Sequence, residues 1–125
     1  MGEAFGDART VPASDEAKKL MKQLVTKGIF EEQRDVWRLG AAIGINQGKT
    51  HEQGARGTFQ NINSLDPEEL IAAVMLGRYP KMTPEERLKK LVGHAEWGIR
   101  EIYRRSTLGT FSPIAYALPD DEKIE

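Results

Sequence analysis

Lys27-Gly28-Ile29-Phe30-Glu31-Glu32-Gln33-Arg34-Asp35-Val36-Trp37-Arg38-Leu39-Gly40-Ala41-Ala42-Ile43-Gly44-Ile45 is the stretch on which the fold turns. Gly28 follows an amphipathic run and suits the left-handed residue that ends a helix. Ile29 and Phe30 give the corner apolar anchors. Glu31, Glu32 and Asp35 place negative charge at the positive end of the next helix dipole. From Val36 onward polar side chains nearly vanish. Val36, Leu39, Gly40 and Ile43 keep helical spacing, and Ala41, Ala42 and Ile45 widen the apolar surface. A helix apolar nearly all round is surrounded by protein. Gly40 and Gly44 each cost about 1 kcal/mol against alanine inside a helix. Either a neighbouring backbone approaches closely there, or Gly44 ends the helix.

Working outward, Ser14 is an N-cap for a first helix, with Asp15 and Glu16 in its first turn. Ala17, Leu20, Met21, Leu24 and Val25 fall on one face. Lys18, Lys19, Lys22 and Lys27 fall on the other. Asp66-Pro67-Glu68-Glu69 and Thr83-Pro84-Glu85-Glu86 both read as helix starts: a cap, proline at the first helical position and a glutamate three residues after the cap. Leu70, Ile71, Ala73, Val74 and Met75 predict a short buried helix closed by Gly77. Leu88, Leu91, Val92, Ala95, Ile99, Ile102 and Tyr103 predict the longest helix, with Trp97 at the edge of its stripe. Arg100, Arg104 and Arg105 lie in its last turns, where cations complement the dipole.

The expected fold is therefore all-α: a compact bundle of about four helices, roughly 14–27, 31–45, 66–76 and 83–105, with an extended C-terminal segment. Residues 1–13 are expected as a flexible arm, although Ala8 to Val11 could make a short strand. Residues 14–110 form a single helical domain. Residues 111–125, with Phe111, Ile114, Tyr116 and Leu118, are expected to lie across the helices or to dock on a second subunit, with an acidic, mobile end.

The chain has 125 residues, no cysteine and a net charge of −1. One domain is expected at this length. Disulfides and thiolate metal sites are excluded. No apolar run approaches the roughly 18 residues of a membrane span, so a cytoplasmic protein with no membrane contact is expected. Between Ser14 and Arg105 there are 16 Lys and Arg against 13 Asp and Glu, so the acidic surplus lies in the two ends and a modest basic face is possible.

No catalytic constellation emerges, and a protein that is not an enzyme, with no cofactor and no metal, is expected. Gly48-Lys49-Thr50 suggests a phosphate-binding loop, but that motif needs a glycine where Ile43 stands and a strand before the loop. His94-Ala95-Glu96 matches the start of a zinc deaminase signature whose chemistry needs cysteines. A Glu-x-x-His metal site would need glutamate where Leu91 stands. The polar stretch 46–58 has three glycines, and its backbone N–H groups with Lys49, His51 and Arg56 could hold an anion.

The helix from Ser14 to Lys27, the corner, and the more apolar helix to about Gly44 resemble the two-helix core of ribbon-helix-helix proteins. The run Arg34 to Gly44 followed by Gly48-Lys49, with Gly98-Ile99-Arg100-Glu101-Ile102 later, is similar to small helical proteins associated with Dnd-type DNA phosphorothioation systems. The resemblance spans about Ser14 to Tyr103. It implies a prokaryotic accessory protein of DNA modification or restriction that touches DNA through lysines. The phosphate-contacting residues expected on this reading are Lys18, Lys19, Lys22, Lys49, Arg56, Arg104 and Arg105. The alternative is a protein-interaction or oligomeric module that binds no nucleic acid.

Overall fold

Gly44 lies inside its helix rather than at its end, and the close approach of a second backbone is the reason. In the computed structural model, which describes residues 2–51, 54 and 56–109, the chain runs α1 (Gly2–Phe5), β1 (Thr10–Ala13), α2 (Asp15–Thr26), α3 (Gln33–Gln47), β2 (Arg56–Asn61), α4 (Ile62–Leu65), α5 (Leu70–Arg78) and α6 (Pro84–Thr107). Helices α3 and α6 cross antiparallel and share the largest contact in the molecule. At the crossing, a Cβ on Gly44 would overlap the His94 carbonyl oxygen. One on Gly98 would overlap the Gly40 carbonyl oxygen, and one on Gly40 would come within 2.9 Å of the Ile99 nitrogen. Glycines four residues apart on α3 thus meet α6 backbone at two levels, with Cα–H groups facing carbonyls.

Trp37 is buried on α3, and Met21 and Leu24 of α2, Met75 of α5, and Ile99 and Ile102 of α6 complete the interior around it. Three of the four expected helices have both boundaries within two residues of those expected from periodicity. The Ser14 hydroxyl accepts the Ala17 N–H at 3.0 Å. Gly28 adopts φ +79°, the left-handed turn after α2. Thr83 and Glu86 form the reciprocal capping box, at 3.1 Å and 2.9 Å.

The fold is mostly helical but not all-α, which corrects the sequence expectation. Strands β1 and β2 pair antiparallel, Thr10 with Asn61, Val11 with Gln60, Pro12 with Thr58 and Ala13 with Arg56. The register shifts on both sides of Pro12, where proline has no N–H to give the ladder. The strands are short and 43 residues apart along the chain, so no local period announces them. Residues 2–13 are accordingly not an arm. Ala4, Phe5, Val11 and Ala13 belong to the core. The stretch expected as a long polar loop is shortened from both sides, by α3 running to Gln47 and by β2 starting at Arg56.

The third expected helix also begins later than its sequence signal. Residues 66–69 form a turn closed by the Glu69 N–H donating to the Asp66 carbonyl at 3.0 Å. The buried Asp66 carboxylate then accepts from Ile71 N–H at 3.0 Å and Ala72 N–H at 2.9 Å. Asp66 still caps the helix, but from across the turn, and Pro67 sits in the turn rather than at the first helical position. Helix α5 is not buried as expected: only Ala72 and Met75 are.

Arginines hold the ends of helices together. Buried Arg87 donates to the carbonyls of Glu3 (3.1 Å), Ala4 (2.7 Å), Tyr79 (3.0 Å) and Met82 (2.6 Å). Arg38 donates to Ser64 (3.0 Å) and Leu65 (2.8 Å), and Arg78 to Ile45 (2.9 Å). The carbonyls of Glu3, Ala4, Ser64, Leu65 and Ile45 lie in the last turns of their helices, where the dipole favours a cation, and those of Tyr79 and Met82 belong to the α5–α6 connection. Among the described residues no helix is long and apolar enough to cross a membrane.

Candidate functional site

Pairing β2 with β1 lays β2 beside α2 and opens a groove against the start of α3. The groove has a volume of about 640 Å³ and is lined by Lys18 and Lys22 of α2, Thr58, Phe59 and Gln60 of β2, and Glu31 to Arg34. Helical spacing of four puts Lys18 and Lys22 on one face. Lys18 extends toward β2: its Nζ would lie 3.2 Å from a Cβ on Gly57. The charge is mixed. Arg34 pairs with Glu32 at 2.9 Å, and Glu31 also lines the groove. The result is a shallow trough of mixed character, with two ammonium groups and a shared guanidinium beside amide and hydroxyl side chains and with Val25 and Phe59 in its wall.

The seven residues expected to contact phosphate do not form one patch. Lys18 and Lys22 share the groove, while Lys19 of α2 is not among its lining residues. Lys49 follows the opposite end of α3, roughly 20 Å from Arg34 at 1.5 Å per residue. Arg104 and Arg105 both bind Glu101, at 2.7 Å and 2.8 Å. The hydrogen bond from Arg104, helped by Arg105, holds the Glu101 carboxyl below its ordinary value. Arg56 starts β2, and its side chain lies outside the described residues, as does the C-terminal segment 111–125. Arg34, Thr58 and Gln60 went unnoticed in the sequence, because only the pairing of distant strands brings them to the lysines.

Two buried polar clusters tie elements together. Glu96 accepts the Ser14 N–H at 2.9 Å, the Ser14 hydroxyl at 2.7 Å and Arg100 at 2.8 Å. Arg100 also reaches Glu16 at 2.6 Å. The start of α2 is thereby fastened to the middle of α6.

His94 is fully buried in α6, with Nδ1 2.6 Å from the Lys49 carbonyl and Nε2 2.8 Å from the Tyr79 hydroxyl. A carbonyl can only accept, so Nδ1 carries the proton and Nε2 accepts from tyrosine. The ring is neutral, and it pins the chain leaving α3 and the α5–α6 connection onto α6. The His51 N–H, donating to Gly93 O at 3.0 Å, holds the same segment.

Burial pushes the His94 imidazole below its ordinary 6.5, with the Lys49 carbonyl bond acting in the opposite direction. The native state therefore takes up this proton less readily than the unfolded chain. The stability from neutral His94 is complete above 6.5 and declines as pH falls below it. Thermal unfolding followed from about pH 7 to about pH 5.5 is expected to show a falling midpoint. His94→Gln is expected to lower the midpoint at pH 7 and to flatten the slope; an unchanged slope would assign it to other groups.

Among the described residues no three His, Asp or Glu side chains are grouped to hold a metal ion. Among the described residues, the hydroxyl bonded to the buried imidazole is that of Tyr79, which donates to Nε2. The groove offers the Lys18 and Lys22 ammonium groups and hydrogen-bonding side chains alongside the Glu31 and Glu32 carboxylates. In comparisons with known protein families, curated proteins and solved structures, none matches this chain.

Proposed function

We propose that this chain is a small cytoplasmic, non-enzymatic protein that associates with DNA by seating the sugar-phosphate backbone in the groove between α2, β2 and the start of α3. The observation that carries the reading is the convergence of Lys18 and Lys22 with Arg34 beside Thr58 and Gln60. Lysine serves as a point charge for phosphate, and the short polar side chains can donate to phosphate oxygens. The order of β1, α2 and α3 is compatible with the ribbon-helix-helix resemblance, with one difference. Here β1 finds its partner strand in β2 of the same chain. The resemblance to proteins of Dnd-type systems supports a setting in DNA modification or restriction.

The grouping of charges bounds the strength of the interaction. The groove itself offers Lys18, Lys22 and the Glu32-paired Arg34, so two to three phosphate contacts are expected rather than six or more. Affinity for duplex DNA is then expected to fall only about ten- to fortyfold between roughly 50 and 200 mM salt, where six contacts predict roughly a thousandfold. Fluorescence anisotropy with a labelled duplex measures this directly. A Lys18→Glu, Lys22→Glu double variant should abolish binding, while Arg104→Ala should leave the salt slope unchanged. Absence of binding by the native chain at low salt would overturn the reading. A second reading, a protein-interaction or oligomeric module, draws its support from the exposed apolar face of α5.

A further inference from the structure

Helix α5, Leu-Ile-Ala-Ala-Val-Met-Leu-Gly-Arg, is the most apolar in the molecule, yet the fold covers only one side of it. Leu70 is 64% exposed and Val74 is 47% exposed. They lie four residues apart, on one face. Ala73 beside them is exposed as well. Met75 and Ala72 on the inner side are buried. A helix with this composition is stable when surrounded, and the described elements leave its outer face open. The ends of that face carry opposite charge. Glu68 stands before the helix, and Arg78 and Lys81 stand at and beyond its end, all of them exposed.

We propose that the outer face of α5 is the contact by which two copies of this chain pair, antiparallel about a twofold axis near Ala73 and Val74. A twofold contact uses the same patch on both subunits, so the patch must complement itself. This one does. Antiparallel alignment about that axis sets Val74 against the Ala73–Val74 stretch of the second copy, carries Leu70 over the stretch around its Gly77, and brings the acidic end of each helix to the basic end of the other. A parallel alignment would set like charges together. The nine residues of α5 span about 13 Å, so this is a small contact that forms in the micromolar range rather than an obligate one. It stands independently of the nucleic-acid reading, because α5 does not line the α2–β2 groove.

Analytical ultracentrifugation of the full chain from about 1 to 200 µM tests this. The native chain is expected to pass from monomer to dimer across that range; a monomer throughout overturns the proposal. Val74→Glu introduces a charge at a site already open to water, so the protomer keeps its fold by circular dichroism. Its dimer dissociation constant should rise at least about a hundredfold, since an unpaired charge would be desolvated in the contact. An unchanged constant overturns the proposal.

Orientation is read from charge reversal. Glu68→Lys and Lys81→Glu should each weaken self-association, and an equimolar mixture of the two should restore it as a mixed pair. No restoration overturns the antiparallel arrangement. The chain has no cysteine, so Val74→Cys gives a single thiol near the axis. Oxidation should yield a disulfide-linked dimer. A monomer whose thiol resists alkylation means that residues 110–125 of the same chain cover the face instead, which overturns the proposal.

Discussion

Gly98→Ala is expected to destabilise the protein by about 3 kcal/mol or more, although glycine to alanine inside an ordinary helix gains about 1 kcal/mol. The sign reverses because the added methyl would overlap the Gly40 carbonyl oxygen. Overpacking a core costs about 1–3 kcal/mol when side chains can shift. Here the obstacle is main chain inside a helix, so α3 and α6 must separate along their whole contact. Gly44→Ala meets the His94 backbone in the same way and should behave alike. Gly77→Ala is the contrast: nothing lies within 4 Å of its Cβ position, so a gain of up to about 1 kcal/mol is expected. Urea unfolding midpoints of the three variants measure the difference. Equal effects at Gly98 and Gly77 would mean that the two helices do not cross this closely.

Arg87→Met is expected to cost about 3–5 kcal/mol, a large share of the 5–15 kcal/mol typical of a domain, because several buried carbonyls lose their donor. Arg87 is 3% exposed and has no carboxylate partner in its hydrogen bonds. Its guanidinium instead gathers carbonyls from α1 and from the Tyr79–Met82 connection. Methionine fills comparable space but leaves these carbonyls unpaired and buried, at about 1–3 kcal/mol for each one that water does not reach. Arg87→Lys keeps the charge and loses the fork, so an intermediate loss is expected. The effect should have a local signature. Helix α1 has four residues and is held on α5 and α6 by Arg87 and by the burial of Ala4 and Phe5. Limited chymotrypsin digestion should therefore cut after Phe5 in Arg87→Met well before the remainder unfolds. A variant cleaved no faster than the native chain would show that burial of Phe5 alone secures α1.

Much of the helical architecture was legible in local signals. Ser14 and Thr83 announced their helices because a capping hydroxyl acts within three residues. The stripe from Leu88 to Tyr103 announced α6 because burial on one face repeats every turn. Asp66 gave a correct capping signal at the wrong offset, since a turn ending at the left-handed Glu69 inserts itself between cap and helix. The groove was half legible. The spacing of Lys18 and Lys22 was visible, but their partners were not.

Local signals announced the four longest helices but not α1 or α4, marked α3 as a helix buried along much of its length, and showed that two of its glycines needed an explanation. Packing in three dimensions added what no local signal carried: those glycines admit the α6 backbone, β1 and β2 pair, Arg87 and Glu96 are buried, and α5 is left half uncovered. The difference is one of range. Caps and periodicity act over three or four residues, whereas strand pairing, buried ion networks and backbone crossings join residues some 40 to 80 positions apart, and such contacts leave no repeating mark on the chain.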